Sequence, residues 1–181
     1  MPFAKCRSAI IASAFVAAAT FGAQAQTAPI KPGLWQVHME REVNGQKAPD
    51  MSDRLKNLPP EKRAQYEAMM KQRGIATDGS GPTRVCYTKE SLDRSAWANQ
   101  ATDCKADFSS RSGRSWKWHT SCPKSGYEAD GEADFLDTEN YTVKSTSVSK
   151  MNDKVRNSST TITAKWVGAD CGDVKPFEPK P

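Results

Sequence analysis

The sequence predicts a domain of the α+β class that is mainly β: an antiparallel meander, as a sheet or a partly closed barrel, with one amphipathic helix and two disulfides. Three observations carry this. From Asp103 to Val167, polar and apolar residues alternate at period two through consecutive runs separated by turn residues, the pattern of half-buried strands. One run alone, Pro60 to Gly74, has the period of a helix. Four cysteines remain in a chain that reads as exported, the even number expected of a disulfide framework.

Export is read from residues 1–25. Lys5 and Arg7 precede an uncharged apolar run from Ala9 to Phe21, and Ala23-Gln24-Ala25 supplies the small-x-small ending of a cleaved signal peptide. The mature protein is expected to be residues 26–181, a single domain at this length. Removing Lys5 and Arg7 lowers the formal charge from +5 to +3, so much of the basicity belongs to the targeting segment. No second apolar run approaches the roughly 20 residues that span a bilayer. The expected product is soluble and periplasmic.

Its aliphatic supply is small. Leu, Ile, Val and Phe make up 19 of the 156 mature residues, under the roughly one-fifth below which disorder becomes a concern. Five Trp and four Tyr compensate with large apolar areas. The cysteines Cys86, Cys104, Cys122 and Cys171 are separated by 18, 18 and 49 residues and contain no CxxC knuckle, which favours disulfides over zinc.

Along the chain, Gly33 to Val43 alternates with Trp35, Val37 and Met39 on one side, and Asn44-Gly45 follows as a turn. The helix opens at Pro59-Pro60, carries Tyr66, Met69 and Met70 at helical spacing and stops at Gly74. Residues 77–82 read as a loop, Arg84 to Tyr87 as a short strand, and Thr88 as the cap of a brief turn through Ser91 and Leu92.

The remaining strands pair by register. A hairpin bending at Gly113 opposes Cys104 to Cys122 and Phe108 to Trp118, and opposed Cα atoms of an antiparallel pair lie within disulfide range. Cys104–Cys122 is therefore expected, leaving Cys86–Cys171. The next hairpin sets Trp118 over Gly131 and Trp116 over Ala133, large rings against small or absent side chains. Strand 127–135 then alternates Tyr127, Ala129, Gly131, Ala133 and Phe135 inward with Glu128, Asp130, Glu132 and Asp134 outward. Two further pairings oppose Phe135 to Tyr141 and Tyr141 to Ala164, the second through a turn at Asn152-Asp153, with Trp166 continuing the inner face. Val148 and Val155 fall outside.

Chemistry is sparser. Four carboxylates at period two could attract calcium, but same-face neighbours sit about 6.6–6.8 Å apart and opposed basic residues compensate them, so no metal is expected. His38 and His119 both fall on the outer face; Asp130, across from His119, is the one partner available to a hydrolase, and no GxSxG or HExxH segment accompanies it. No catalytic residue is assigned and no cofactor is expected. Residues 111–124 read linearly as a basic and aromatic stripe, yet both indoles point inward, which removes nucleic acid from the expected partners.

Four segments resemble a known family: Lys31-Pro32-Gly33-Leu34-Trp35, Leu58-Pro59-Pro60-Glu61-Lys62-Arg63 leading into Met69-Met70, Val85-Cys86-Tyr87-Thr88-Lys89-Glu90, and Gly168-Ala169-Asp170-Cys171-Gly172. Their order and spacing resemble the exported bacterial proteins catalogued as domain of unknown function 3617. The resemblance implies a small, mostly β periplasmic protein with a signal peptide, and no activity or site residues.

The reading is a non-enzymatic binding or interaction module of the cell envelope. Its alternative is a small apolar-ligand carrier with a barrel pocket, the helix lying over the mouth and Trp35, Tyr66, Met69, Trp116, Trp118, Tyr141 and Trp166 lining it. Partners on these readings are a small apolar ligand or an envelope component.

Overall fold

Alternation through the C-terminal half builds one antiparallel sheet. A computed structural model of the chain describes residues 27–49, 51–77, 82–93, 103–151 and 154–177. The expected signal peptide, most of the 77–82 loop and the Asn152-Asp153 turn lie outside them. In chain order the elements are β1 (Gly33–Val43), β2 (Gln46–Lys47), α1 (Met51–Lys56), α2 (Pro60–Gln72), β3 (Ile75–Ala76), β4 (Thr83–Tyr87), α3 (Lys89–Asp93), β5 (Lys105–Ser112), β6 (Ser115–Cys122), β7 (Tyr127–Phe135), β8 (Asn140–Met151) and β9 (Lys154–Gly168). The strand order is β3-β4-β1-β9-β8-β7-β6-β5, with β2 on the side of β1. The sheet is therefore open, with edges at β3 and β5, and does not close into a barrel.

Most registers match those read from the sequence. Trp118 is opposite Gly131, Phe135 opposite Tyr141, and Tyr141 opposite Ala164. Strand β1 completes the meander against β9. Asn44 and Gly45 both adopt positive φ, 50° and 78°, the two-residue turn whose twist suits a hairpin. Both expected disulfides are present: Cys86–Cys171 spans 85 residues with a Cα separation of 5.6 Å, and Cys104–Cys122 spans 18 with 4.1 Å.

One hairpin departs from the constant register. Phe108 is opposite Trp118, but Ser110 is opposite Lys117 and Arg111 opposite Trp116, so one extra residue sits at Ser109. Two constraints force it. The disulfide opposes Cys104 to Cys122, and a tight turn at Gly113-Arg114 opposes Ser112 to Ser115; these registers differ by one residue, and a β-bulge absorbs the difference.

The helices also differ from expectation. Among the described residues there are three, and α1 was not visible as a separate element. Pro60 opens α2 as expected, but no residue of α2 is buried, and it packs beside the edge strand β3 instead of lying over the inner face. Helix α3 is capped as expected: the Thr88 hydroxyl accepts from the Ser91 N–H at 3.2 Å, and Ser91 Oγ accepts from the Thr88 N–H at 2.9 Å.

The core lies on one face of the sheet. Trp35, Trp116, Ala133, Phe135, Tyr141 and Val143 form its floor, and Ala28, Ile30 and Leu92 cover it. Gly131 is enclosed here because a Cβ at that position would overlap Trp118 Cε2 and Cζ2. Gly131→Val should thus destabilise by about 1–3 kcal/mol despite the better strand propensity of Val. Since the two residues touch, Gly131→Val combined with Trp118→Ala should be less damaging in urea melts than the sum of the single variants. A stabilising Gly131→Val would contradict the packing.

Candidate functional site

The aromatic residues on the inner face do not surround a space. They pack on one another in a line across the sheet: Phe177 against Tyr87 (5.9 Å between centroids), Tyr87 against Trp35 (6.3 Å), Trp35 against Tyr141 (5.1 Å), Tyr141 against Phe135 (6.3 Å) and Phe135 against Trp116 (5.1 Å). Phe108 then bridges Trp116 and Trp118. The polar ends are satisfied locally. Tyr87 and Tyr141 share a 3.1 Å hydroxyl contact, and burial raises both phenol pKa values, Tyr141 the more strongly. Trp35 Nε1 donates to the Lys31 carbonyl at 3.0 Å, and Trp166 Nε1 to that of Pro32 at 3.1 Å.

Of the seven residues expected to line a pocket, Trp35, Trp116 and Tyr141 are thus core, with 0, 3 and 2% exposure. Trp118 and Trp166 are half-buried at the borders of that core. Tyr66 and Met69 are on α2, beside β3, and do not join the others; Met69 is 41% exposed.

On the outer face, the expected pairing of His119 with Asp130 is present and extended. His119 Nδ1 lies 2.9 Å from Asp130 Oδ1, and Nε2 lies 3.1 Å from Glu128 Oε2. The hydrogen bond to Asp130, helped by the charge of Glu128, raises the imidazole pKa. These three side chains border a shallow concavity of about 350 Å³ with Glu42, Thr146 and Asn157. A general base needs one ring nitrogen turned to a nucleophile and the other to an orienting carboxylate; here carboxylates hold both. Glu132 pairs with Lys117 at 3.0 Å, and Lys144 stands opposite it in register, as the outer charge ladder requires.

A different region was missed. The ring-bearing rows occupy only half of the inner face. Towards the β8–β9 turn, the next row is Arg41, Thr160, Ser145, Gly131 and Trp118, followed by Val43, Ser158, Ser147, Ala129 and Thr120. Beyond these, Arg156 stands opposite Ser149 and Ser149 opposite Tyr127. Arg41 and Arg156 are exposed, most of the hydroxyl residues are half-buried, and Arg41 Nη2 donates to Ser158 Oγ at 3.3 Å. Strand parity contained the signal: the side of β8 that carries Tyr141 and Val143 continues as Ser145, Ser147 and Ser149, so the core ends midway along the strand.

Comparisons with known proteins identify kinship without assigning a role. The family model described as "Protein of unknown function (DUF3617)" matches residues 30–171. An uncharacterized protein in the lpd-3 5′ region of Pseudomonas putida is 34% identical over 121 residues, covering 64% of this chain and 83% of the relative. No solved structure matches at a significant level.

The His119 cluster makes a direct prediction. Its folded pKa is raised, so the imidazolium pairing stabilises the fold fully below the ordinary histidine value of about 6.5 and is lost as pH rises through the higher folded value. An NMR titration should place the His119 midpoint above the ordinary histidine value of about 6.5, and Asp130→Asn should lower it. An unchanged midpoint in Asp130→Asn would contradict the assignment.

Proposed function

The chain belongs to the family of proteins of unknown function DUF3617, and we propose that it acts as an exported, periplasmic, non-enzymatic binding module of the cell envelope. The observation that carries this reading is the divided inner face: one half is sealed by packed rings, and the other presents hydroxyls and guanidinium groups on the same rigid strands. A ligand meeting such a surface loses less to reorganisation than one meeting a mobile loop, because the donors are already held at strand spacing.

Two independent features support this compartment. The two disulfides suit an oxidising environment. Residues 1–25 have the charge, length and ending of a secretion signal, with Gln26 as the first mature residue. The apolar-carrier alternative needs a lumen; the sheet has two edges, and the rings that would line the lumen fill one another's contact surfaces. Hydrolysis at His119 would require Asp130 or Glu128 to release a ring nitrogen.

The test is sedimentation of the mature protein with washed envelope fragments. Wild type should pellet with them, and Ser147→Trp, which places a large ring on the open half of the inner face, should remain in the supernatant while its melting temperature stays within a few degrees. Pelleting unaffected by Ser147→Trp but abolished by Ser121→Trp on the outer face would overturn the assignment of the surface.

A further inference from the structure

The described carboxylates on the strands of this sheet are confined to one face. Every described carboxylate on the strands, from Glu40 and Glu42 in β1 through Asp107 in β5 to the Glu128–Asp134 series in β7, has outer-face parity. Basic residues occur on both faces, Lys117, Lys144 and Lys165 on the outer one, and the inner face carries them without carboxylates. Arg41, Arg111, Lys154 and Arg156 lie in its rows, and no described strand residue there is acidic. Arg111 is committed to the core, its guanidinium 4.4 Å from the Phe108 ring and 4.5 Å from that of Trp116. Arg41, Lys154 and Arg156 are exposed, and Arg41 and Arg156 are the two guanidinium groups among them.

We infer that the open half of the inner face, on the reading that it is the contact surface, binds an extended anionic saccharide chain, with Arg41 and Arg156 holding carboxylate or phosphate groups and Trp118 carrying a sugar ring. Three features of the surface select this class. Ser145, Ser147, Ser149, Thr160 and Thr120 both donate and accept hydrogen bonds, so they match ring hydroxyls as well as anionic oxygens. Guanidinium groups grip planar or tetrahedral oxyanions through two parallel bonds, and no acidic neighbour on this face competes for them. Trp118 ends the line of rings half-buried, laid over Gly131 in the first of the hydroxyl rows.

Dimensions favour a chain over a single ion. Arg41 and Trp118 share a row but lie four strands apart, about 19 Å at the usual strand spacing. Arg156 is four residues along β9 from Thr160, the partner of Arg41, or about 13 Å further down the face. One small anion would leave most of this grid hydrated. A bilayer surface fits poorly because membrane-lying surfaces insert apolar side chains, and the rows concerned present serine and threonine.

Polygalacturonate serves as the carboxylate-bearing probe in isothermal calorimetry with the oxidised mature protein, beside neutral dextran and phosphatidylglycerol vesicles. Binding to polygalacturonate alone is expected, weakened about tenfold or more by Arg41→Glu/Arg156→Glu, with melting temperature and circular dichroism confirming that the variant folds. Lys144→Glu/Lys165→Glu makes the same change in net charge on the outer face and should alter affinity by less than about twofold. Equal losses in the two double variants, equal binding of dextran, or binding of the vesicles without polygalacturonate would each overturn the inference. If polygalacturonate fails while Ser147→Trp still releases the protein from envelope fragments, the ligand class is wrong and the surface stands; if Ser147→Trp releases nothing either, both readings fall.

Discussion

The structure depends on ring-to-ring packing across one face of a single open sheet. A chain with so few aliphatic residues cannot build a second layer of ordinary thickness, so the area that excludes water comes from Tyr87, Trp35, Tyr141, Phe135, Trp116 and Phe108, in contact one after another. Such pairs contribute about 0.5–1.5 kcal/mol each beyond the area they bury. The disulfides fasten the two ends of this line. Cys86–Cys171 ties the C-terminal tail to β4, where Phe177 meets Tyr87, and Cys104–Cys122 ties β5 to β6, where Phe108 meets Trp118. Among the described residues the covering side chains lie above the rings, and the hydroxyl residues in the lower rows of the same strands are half-buried apart from Ser158, which is buried like Ala129.

The four segments that carry the resemblance to the family build this scaffold. Lys31 and Pro32 offer their carbonyls to the Trp35 and Trp166 indoles, Lys31 Nζ reaches Glu139 at 2.6 Å, and Gly33 takes a φ of 131° where a Cβ would strike the Gly168 carbonyl. Arg63, in the Pro-Pro-Glu-Lys-Arg segment, donates to the carbonyls of Leu55 at 2.9 Å and Lys56 at 3.0 Å, closing the C-terminal end of α1. Val85, Cys86, Tyr87 and Thr88 supply in turn a core side chain, a disulfide, a member of the ring line and a helix cap. In the last segment, Asp170 accepts from the Gly172 N–H at 2.9 Å beside the bridged Cys171. These four segments therefore hold the sheet, and the open half of the inner face, although within the matched residues 30–171, lies outside all four.

Legibility followed the range of each interaction. Register was readable because opposed pairs such as Trp118 and Gly131 must satisfy shape within one hairpin, and because tight turns fix which residues meet. The bulge at Ser109 was not, since it arises from a conflict between a disulfide and a turn that is visible only when both are imposed together. Helix α2 was recognised from its proline and its spacing, but its docking was misjudged: Tyr66, Met69 and Met70 resemble a core stripe locally, whereas covering of the rings is done by Ala28, Ile30 and Leu92 from short segments with no periodicity to read. The hydroxyl rows escaped notice because serine and threonine at alternate positions look like an ordinary wet face. Only their parity with Tyr141 shows that they continue the inner side.

A sheet sealed over half of one face should differ in local stability along the same strands. Amide hydrogen exchange of the oxidised protein, read residue by residue along β8 and β9, measures this directly. Slowest exchange is expected at Tyr141, Val143, Ile162 and Ala164, beneath the rings, with faster exchange at Ser147, Ser149 and Arg156, in rows paired by the same ladder but outside the ring-packed core. Uniform protection along both strands, or slowest exchange in the serine rows, would contradict the account.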